Sequence, residues 1–138
     1  MGPRCRGPAP CDRRDGAITL KVGDAERRAI VVNPPPVGTL RPAVIVLHGG
    51  MGSAERMRRS AGFDPLARSE GFIAVYAEGT DFGEDRHAWN TGHLLRRQVR
   101  DADDVAYLDR LIDVLVRDHG ADPARIFMTG GSNGGMMT

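Results

Sequence analysis

The sequence predicts an α/β fold built on a parallel sheet, and three observations carry that prediction. Compact apolar runs at 43–47, 72–76 and 125–129 have the unbroken apolar character of strands covered on both faces. Helical patterns at 64–70 and 101–119 separate them, which gives the strand-helix-strand order of parallel crossovers. A glycine-rich turn, Gly130-Gly131-Ser132-Asn133-Gly134, directly follows the third run.

The chain has 138 residues, with 19 Lys+Arg against 18 Asp+Glu, a formal charge of +1, 41% hydrophobic and 27% charged residues. That length bounds it to one globular domain. The near-neutral balance leaves no electrostatic footprint for nucleic acid or an anionic membrane. No apolar run approaches the roughly 18 residues of a membrane-spanning helix. Of the 19 basic residues only Lys21 is a lysine, a skew that fits coding bias better than arginine clamps spread along the whole chain.

Residues 1–16 mix Pro3, Pro8 and Pro10 with Gly2, Gly7, Gly16 and four arginines. They read as a disordered leader before a single domain at 17–138. Cys5 and Cys11 both fall there, too few for a four-ligand zinc site and too early to staple a core. The segment also lacks the apolar stretch of roughly 7–15 residues that a secretory signal needs. Runs 17–22 and 26–32, joined at Gly23-Asp24, read as a hairpin. Asn33-Pro34-Pro35-Pro36 ends it, because proline has no N–H for a ladder.

After the 43–47 strand, Asp64 is expected to cap a helix over 64–70, with Pro65 at the first helical position and Gly71 as its stop. The turn-rich segment 78–100, beyond the 72–76 strand, is long enough to line a substrate site. In 101–119, Val105, Leu108, Ile112 and Leu115 repeat at helical spacing. Asp101, Asp103 and Asp104 sit at its N-terminal end as helix charges, and Gly120 follows it.

The G-x-S-x-G pattern, between a strand ending at Thr129 and a helix that Gly134-Gly135-Met136-Met137 can open, has the context of a nucleophile elbow. Ser132 is its candidate nucleophile. A phosphate cradle fails on residues, since Met136 and Met137 stand where a Walker loop needs Lys and Ser or Thr, and a dinucleotide fingerprint would need glycine at Ser132. Leu47-His48-Gly49-Gly50-Met51-Gly52 follows the first apolar run, where an HGG-type turn supplies backbone N–H groups to a developing oxyanion. The expected donors are the Asn133 and Gly50 N–H groups, with Met51 as second choice for the latter.

His48 precedes Ser132 in the chain, the reverse of the catalytic order on such elbows, and reads as a brace for the loop. His87 and His93 flank Trp89-Asn90 without a third ligand, so no metal is expected. Trp89, the sole tryptophan, is placed in substrate binding as the floor of an acyl or aromatic pocket, with buried packing as the open alternative.

These residues resemble the polyhydroxybutyrate depolymerase-like esterases, relatives of feruloyl and acetyl-xylan esterases. The resemblance runs over 17–138 through AVIVLHGG (43–50), GFIAVYAEGT (71–80), AWNTGH (88–93), DDVAYLDRLID (103–113) and DPARIFMTGGSNGGMMT (122–138). It implies the α/β-hydrolase fold, here a hairpin plus three parallel strands with crossover helices, truncated after the elbow. It also implies hydrolysis of small or polymeric carboxylic esters of hydroxyacyl chains or plant phenolic acids, with no cofactor and no metal, in an extracellular setting. Three positions depart from the family pattern. Ala77 stands where YPEG is usual, Leu94-Leu95 where many members carry cysteines, and Gly131 where a larger apolar residue is common.

Family members continue well past the serine with an acid and a histidine, whereas this sequence stops six residues after Ser132. The chain is therefore expected to be inactive and marginally folded, because a serine without a general base stays protonated. A non-catalytic fragment or pseudogene product, and a peptidase or acyltransferase on the same elbow, are the alternatives.

Overall fold

The structure, a computed structural model, describes residues 15–34, 38–93 and 95–138. Most of the expected leader, with Cys5 and Cys11, lies outside them, as do Pro35, Pro36 and Leu94. Strands β1 (Gly16–Val22) and β2 (Ala25–Val32) form the hairpin, and Gly23 takes the positive φ of 58° that its two-residue loop requires. Strand β3 (Arg41–Leu47) leads through helices α1 (Ala54–Ala61) and α2 (Phe63–Glu70) into β4 (Ile73–Ala77). A small antiparallel pair, β5 (Thr80–Asp81) with β6 (His87–Ala88), and the short α3 (Arg96–Val99) occupy the segment expected to be turn-rich. Helix α4 (Asp104–His119), strand β7 (Ala121–Gly130) and helix α5 (Asn133–Met137) follow.

The five-stranded sheet has the order β1-β2-β4-β3-β7. Strand β3 runs parallel to both β4 and β7, with Ile45 opposite Val75 on one side and Met128 on the other, while β2 runs antiparallel to β4. Alternate residues face opposite ways, so Ala43, Ile45 and Leu47 pack with Tyr107, Leu111 and Leu115 of α4. Val44 and Val46 turn to the other side, where Ala54, Met57, Ala61 and Ala67 of α1 and α2 cover them. Both faces of β3 and β4 are thus shielded, which is why those runs are apolar throughout.

Four local details differ from the sequence-based expectation. Helix α1 was not anticipated; Ser53 caps it by accepting the Arg56 N–H (3.3 Å), and Gly62 ends it in the left-handed region. Gly62 also opens α2, so Asp64 does not cap that helix. Its carboxylate instead binds Arg58 Nε (2.7 Å) and the Tyr76 hydroxyl (2.6 Å). Helix α4 begins at Asp104 rather than 101, with Asp103 accepting the Ala106 N–H (2.9 Å) as its cap. Strand β7 reaches back to Ala121, pairing Arg41 with Ala121 before its register shifts.

Candidate active site

The turn between β7 and α5 holds Ser132 at φ 51°, ψ −117°, a backbone conformation that L residues rarely adopt. Close packing imposes it. A Cβ on Gly130 would stand 2.6 Å from the Gly134 carbonyl carbon, and one on Gly134 would stand 2.3 Å from Leu47 O and 2.4 Å from His48 O. Only glycine permits those approaches. Gly131 is different: a Cβ there meets nothing within 4 Å. Gly131 N–H donates to Leu47 O (3.3 Å) and Gly134 N–H to Gly131 O (2.9 Å), which ties the turn to the end of β3.

The loop after β3 lies against this turn. A Cβ on Gly49 would come within 3.8 Å of Ser132 Cβ, and one on Gly50 within 3.4 Å of Asn133 Cβ and 2.8 Å of Leu95 Cδ1. The structure therefore brings Ser132, Gly50 and Asn133 together. Among the described residues, neither the Gly50 nor the Asn133 N–H takes a hydrogen-bond partner, and none links the Ser132 hydroxyl to a histidine or carboxylate. Met51 (φ 66°) and Leu95 (φ 60°) join Ser132 as non-glycine residues held at positive φ around the same spot.

Trp89 does not reach substrate space, which corrects its placement as a pocket floor. It is 0% exposed, its ring stacks on Tyr107 at 6.3 Å, and its indole N–H donates to His48 O (2.9 Å). The packing alternative holds for it. The Asn133 side chain grips the same residue, with Oδ1 accepting Trp89 N–H (2.7 Å) and Nδ2 donating to Trp89 O (3.1 Å).

His48 is also buried, with 1% of its surface exposed. Its Nε2 accepts the Gly79 N–H (2.9 Å), and its Nδ1 lies 2.7 Å from Gly49 O. Burial pulls its pKa down from 6.5 to about 4, outweighing the upward pull of the Gly49 carbonyl; nearby His87, Arg56 and Arg27 lower it further. The ring is neutral at pH 7. His87 is buried with Nδ1 3.1 Å from Gly52 O, whereas His93 is exposed. No group of three His, Cys, Asp or Glu among the described residues is placed to hold a metal ion.

Two contributors escaped the sequence reading. Glu78, at the end of β4, accepts the Ala54 N–H (2.6 Å) and lies 3.7 Å from His48 Nε2 and 3.6 Å from His87 Nδ1. Its place at the carboxyl end of a buried parallel strand, where ligand sites gather, was the available signal. Asp104 is a buried partner of Arg27 (2.7 Å) and takes the Asn90 N–H (2.6 Å), rather than serving only as a helix charge. Beside these residues a cavity of about 690 Å³ opens between Arg27, Glu78, Thr80, His87 and Asp103, and Ser132 does not line it.

Among solved structures, the chain superposes on an S-formylglutathione hydrolase from Agrobacterium tumefaciens with a TM-score of 0.72 and 17% identity, covering 88% of this chain and 50% of that one. It matches an acetyl xylan esterase from Aspergillus awamori at TM-score 0.67 and 18% identity, over 89% of this chain and 45% of the other. The chain has an α/β-hydrolase fold. No family model matches this α/β-hydrolase chain.

Among curated proteins it is 35% identical over 98 residues to NocK of Nocardia uniformis subsp. tsuyamanensis, an esterase by name, covering 70% of this chain and 27% of NocK. It is 32% identical over 97 residues to feruloyl esterase B of Piromyces equi, covering 70% of this chain and 17% of that enzyme. The match to the bifunctional acetylxylan esterase/xylanase XynS20E of Neocallimastix patriciarum is 26% over 114 residues, 83% of this chain and 15% of the relative. The α/β-hydrolase chain thus spans less than a third of the length of these curated relatives.

Proposed function

We propose that the chain carries the nucleophile and the oxyanion donors of a serine carboxylic-ester hydrolase of the polyhydroxybutyrate depolymerase or feruloyl esterase type. The observation that supports this reading most is Ser132 at φ 51°, ψ −117° on a strand-to-helix turn, with Gly50 packed against Asn133 beside it. Ser132 Oγ attacks the ester carbonyl carbon and loses its proton to a base. The carbonyl oxygen takes the electron pair and lies between the Gly50 and Asn133 N–H groups, which stabilise the tetrahedral intermediate more than the planar ester. Its collapse expels the alcohol and leaves an acyl group on Ser132, which water then removes as the acid. Small or polymeric esters are the substrates, in an extracellular setting. Because no described base touches the Ser132 hydroxyl, turnover by this chain alone is slow.

The test is hydrolysis of p-nitrophenyl acetate, a feruloyl ester and a 3-hydroxybutyrate ester, with matched amides as controls, together with labelling by a fluorophosphonate. Ester turnover or Ser132 phosphonylation that disappears in Ser132→Ala is the expected result. Equal amide cleavage would favour a peptidase, and label on another residue would overturn the assignment of Ser132.

A further inference from the structure

We propose that Leu95 is a specificity-determining residue, an apolar stop beside Gly50 that confines the acyl group on Ser132 to short aliphatic chains; the inference rests on the ester-hydrolase reading above. A Cβ built on Gly50 would stand 2.8 Å from Leu95 Cδ1 and 3.4 Å from Asn133 Cβ. The leucine tip and the residue after the nucleophile thus converge on one point. One residue earlier in the same loop, a Cβ on Gly49 would stand 3.8 Å from Ser132 Cβ. Leu95 therefore stands on the oxyanion side of the nucleophile, and it is half-buried, so part of its surface is open to an incoming ester.

The backbone holds this leucine in place. Leu95 precedes α3 at φ 60°, ψ 13°, in the left-handed region, and its side chain makes no capping hydrogen bond. Glycine or asparagine takes that conformation with less strain. What leucine adds here is its hydrocarbon against Gly50. Its carbonyl accepts the Gln98 N–H (2.9 Å) and the Val99 N–H (3.2 Å), and Val99 is buried at 3% exposure. Beyond α3, Asn90 Nδ2 donates to Arg100 O and to Ala102 O, both at 3.1 Å. With both ends of the short helix tied, the tip of Leu95 is a fixed wall rather than a swinging one.

With its oxygen between the Gly50 and Asn133 N–H groups, an ester carbonyl carbon bears two further substituents, the acyl chain and the alcohol oxygen. The alcohol takes up a proton as it departs, so its side of the site needs a donor. Leu95 has none to give. Its hydrocarbon suits the acyl chain, which stays on Ser132 through both half-reactions. A conjugated phenylpropenoyl group is flat and rigid and meets the leucine close to the carbonyl carbon. An acetyl group ends before reaching it, and a 3-hydroxybutyryl group turns away at its tetrahedral carbons. The class of substrate that fits is the ester of a short aliphatic acid.

The p-nitrophenyl esters of acetate, butyrate and ferulate share one leaving group, so differences among them read the acyl side alone. The full chain is compared with Leu95→Ala and Leu95→Phe by kcat/KM and by the rate of Ser132 acylation in mass spectra. Leu95→Ala is expected to raise the ferulate-to-acetate ratio by about tenfold or more, and Leu95→Phe to lower the butyrate-to-acetate ratio by about tenfold. The ratio of 1-naphthyl acetate to p-nitrophenyl acetate, which varies only the alcohol, should move by less than about twofold. Either variant decides alone, so the failure of one to fold leaves the other as the test. Acyl ratios that stay put while Ser132 reacts, an equal loss on every ester, or a shift that follows the alcohol instead overturns the inference and leaves the ester-hydrolase reading intact. A wild-type Ser132 that is neither acylated nor phosphonylated overturns that reading and the inference together.

Discussion

The side chain of Asn133 and the backbone of Trp89 exchange two hydrogen bonds across 44 residues of sequence, one 2.7 Å and one 3.1 Å long. Both partners are buried, Asn133 at 1% exposure and Trp89 at 0%. Removing the amide strands the Trp89 N–H where water does not reach it, while the Trp89 carbonyl keeps the Thr91 N–H (3.1 Å). Asn133→Leu is expected to lower stability by about 1–3 kcal/mol, the cost of one stranded buried group. Urea denaturation checks this, and a change below about 0.5 kcal/mol would show that the pair contributes little.

The Arg27–Asp104 pair joins β2 to α4 and is buried on both sides. Among the described residues Arg27 Nε takes no hydrogen bond, so the guanidinium depends on Asp104, the Glu78 carbonyl and the face of the Tyr107 ring 4.1 Å away. Asp104→Ala should destabilise by about 3–5 kcal/mol because it leaves a buried cation without its counter-charge. Arg27→Met combined with Asp104→Leu should recover most of that loss, and a double-mutant cycle measures the coupling.

Glycine at 134 and glycine at 131 predict opposite outcomes under the same substitution. Gly134→Ala forces a methyl to within 2.3 Å of Leu47 O and is expected to break the turn and abolish fluorophosphonate labelling. Gly131→Ala meets open space and should leave the thermal midpoint within the change expected of about 0.5 kcal/mol. Melting curves and labelling of the two variants side by side test the contrast.

His48 makes stability depend on pH in a defined window. Its folded pKa of about 4 lies below the ordinary 6.5, so the unfolded chain binds the proton first as pH falls. Its contribution is complete above about pH 6.5 and is lost progressively down to about pH 4, amounting to at most about 3 kcal/mol. Urea midpoints between pH 4 and 7 should rise with pH in the wild type and flatten in His48→Asn. Parallel slopes in the two would contradict the assignment.

The strands were legible because β3 and β4 are shielded on both faces, and an apolar run carries that information without any partner being known. The strand-to-helix turn was legible in part because Gly130 meets Gly134 only four residues on, whereas the approach of Gly134 to Leu47 and His48 joins segments far apart in the chain. Helix α1 was hidden by composition, since only Ala54, Met57 and Ala61 face the core among Arg56, Arg58 and Arg59. Asp103 and Asp104 look alike in sequence, yet one caps a helix at the surface and the other is buried by an arginine 77 residues earlier. Depth decided Trp89 and partners decided Glu78, and both are properties of the assembled fold rather than of any short stretch.

The positive φ of Ser132 sets reactivity and robustness against each other at one residue. A serine held at φ 51°, ψ −117° raises the folded state by about 1–3 kcal/mol, which glycine would largely relieve. Ser132→Gly is therefore expected to melt at a higher temperature than the wild type while taking no fluorophosphonate label, and differential scanning calorimetry reads the difference. Selection of variants for heat resistance alone would discard this serine, so any thermostabilised library of the chain needs a chemical screen that keeps it.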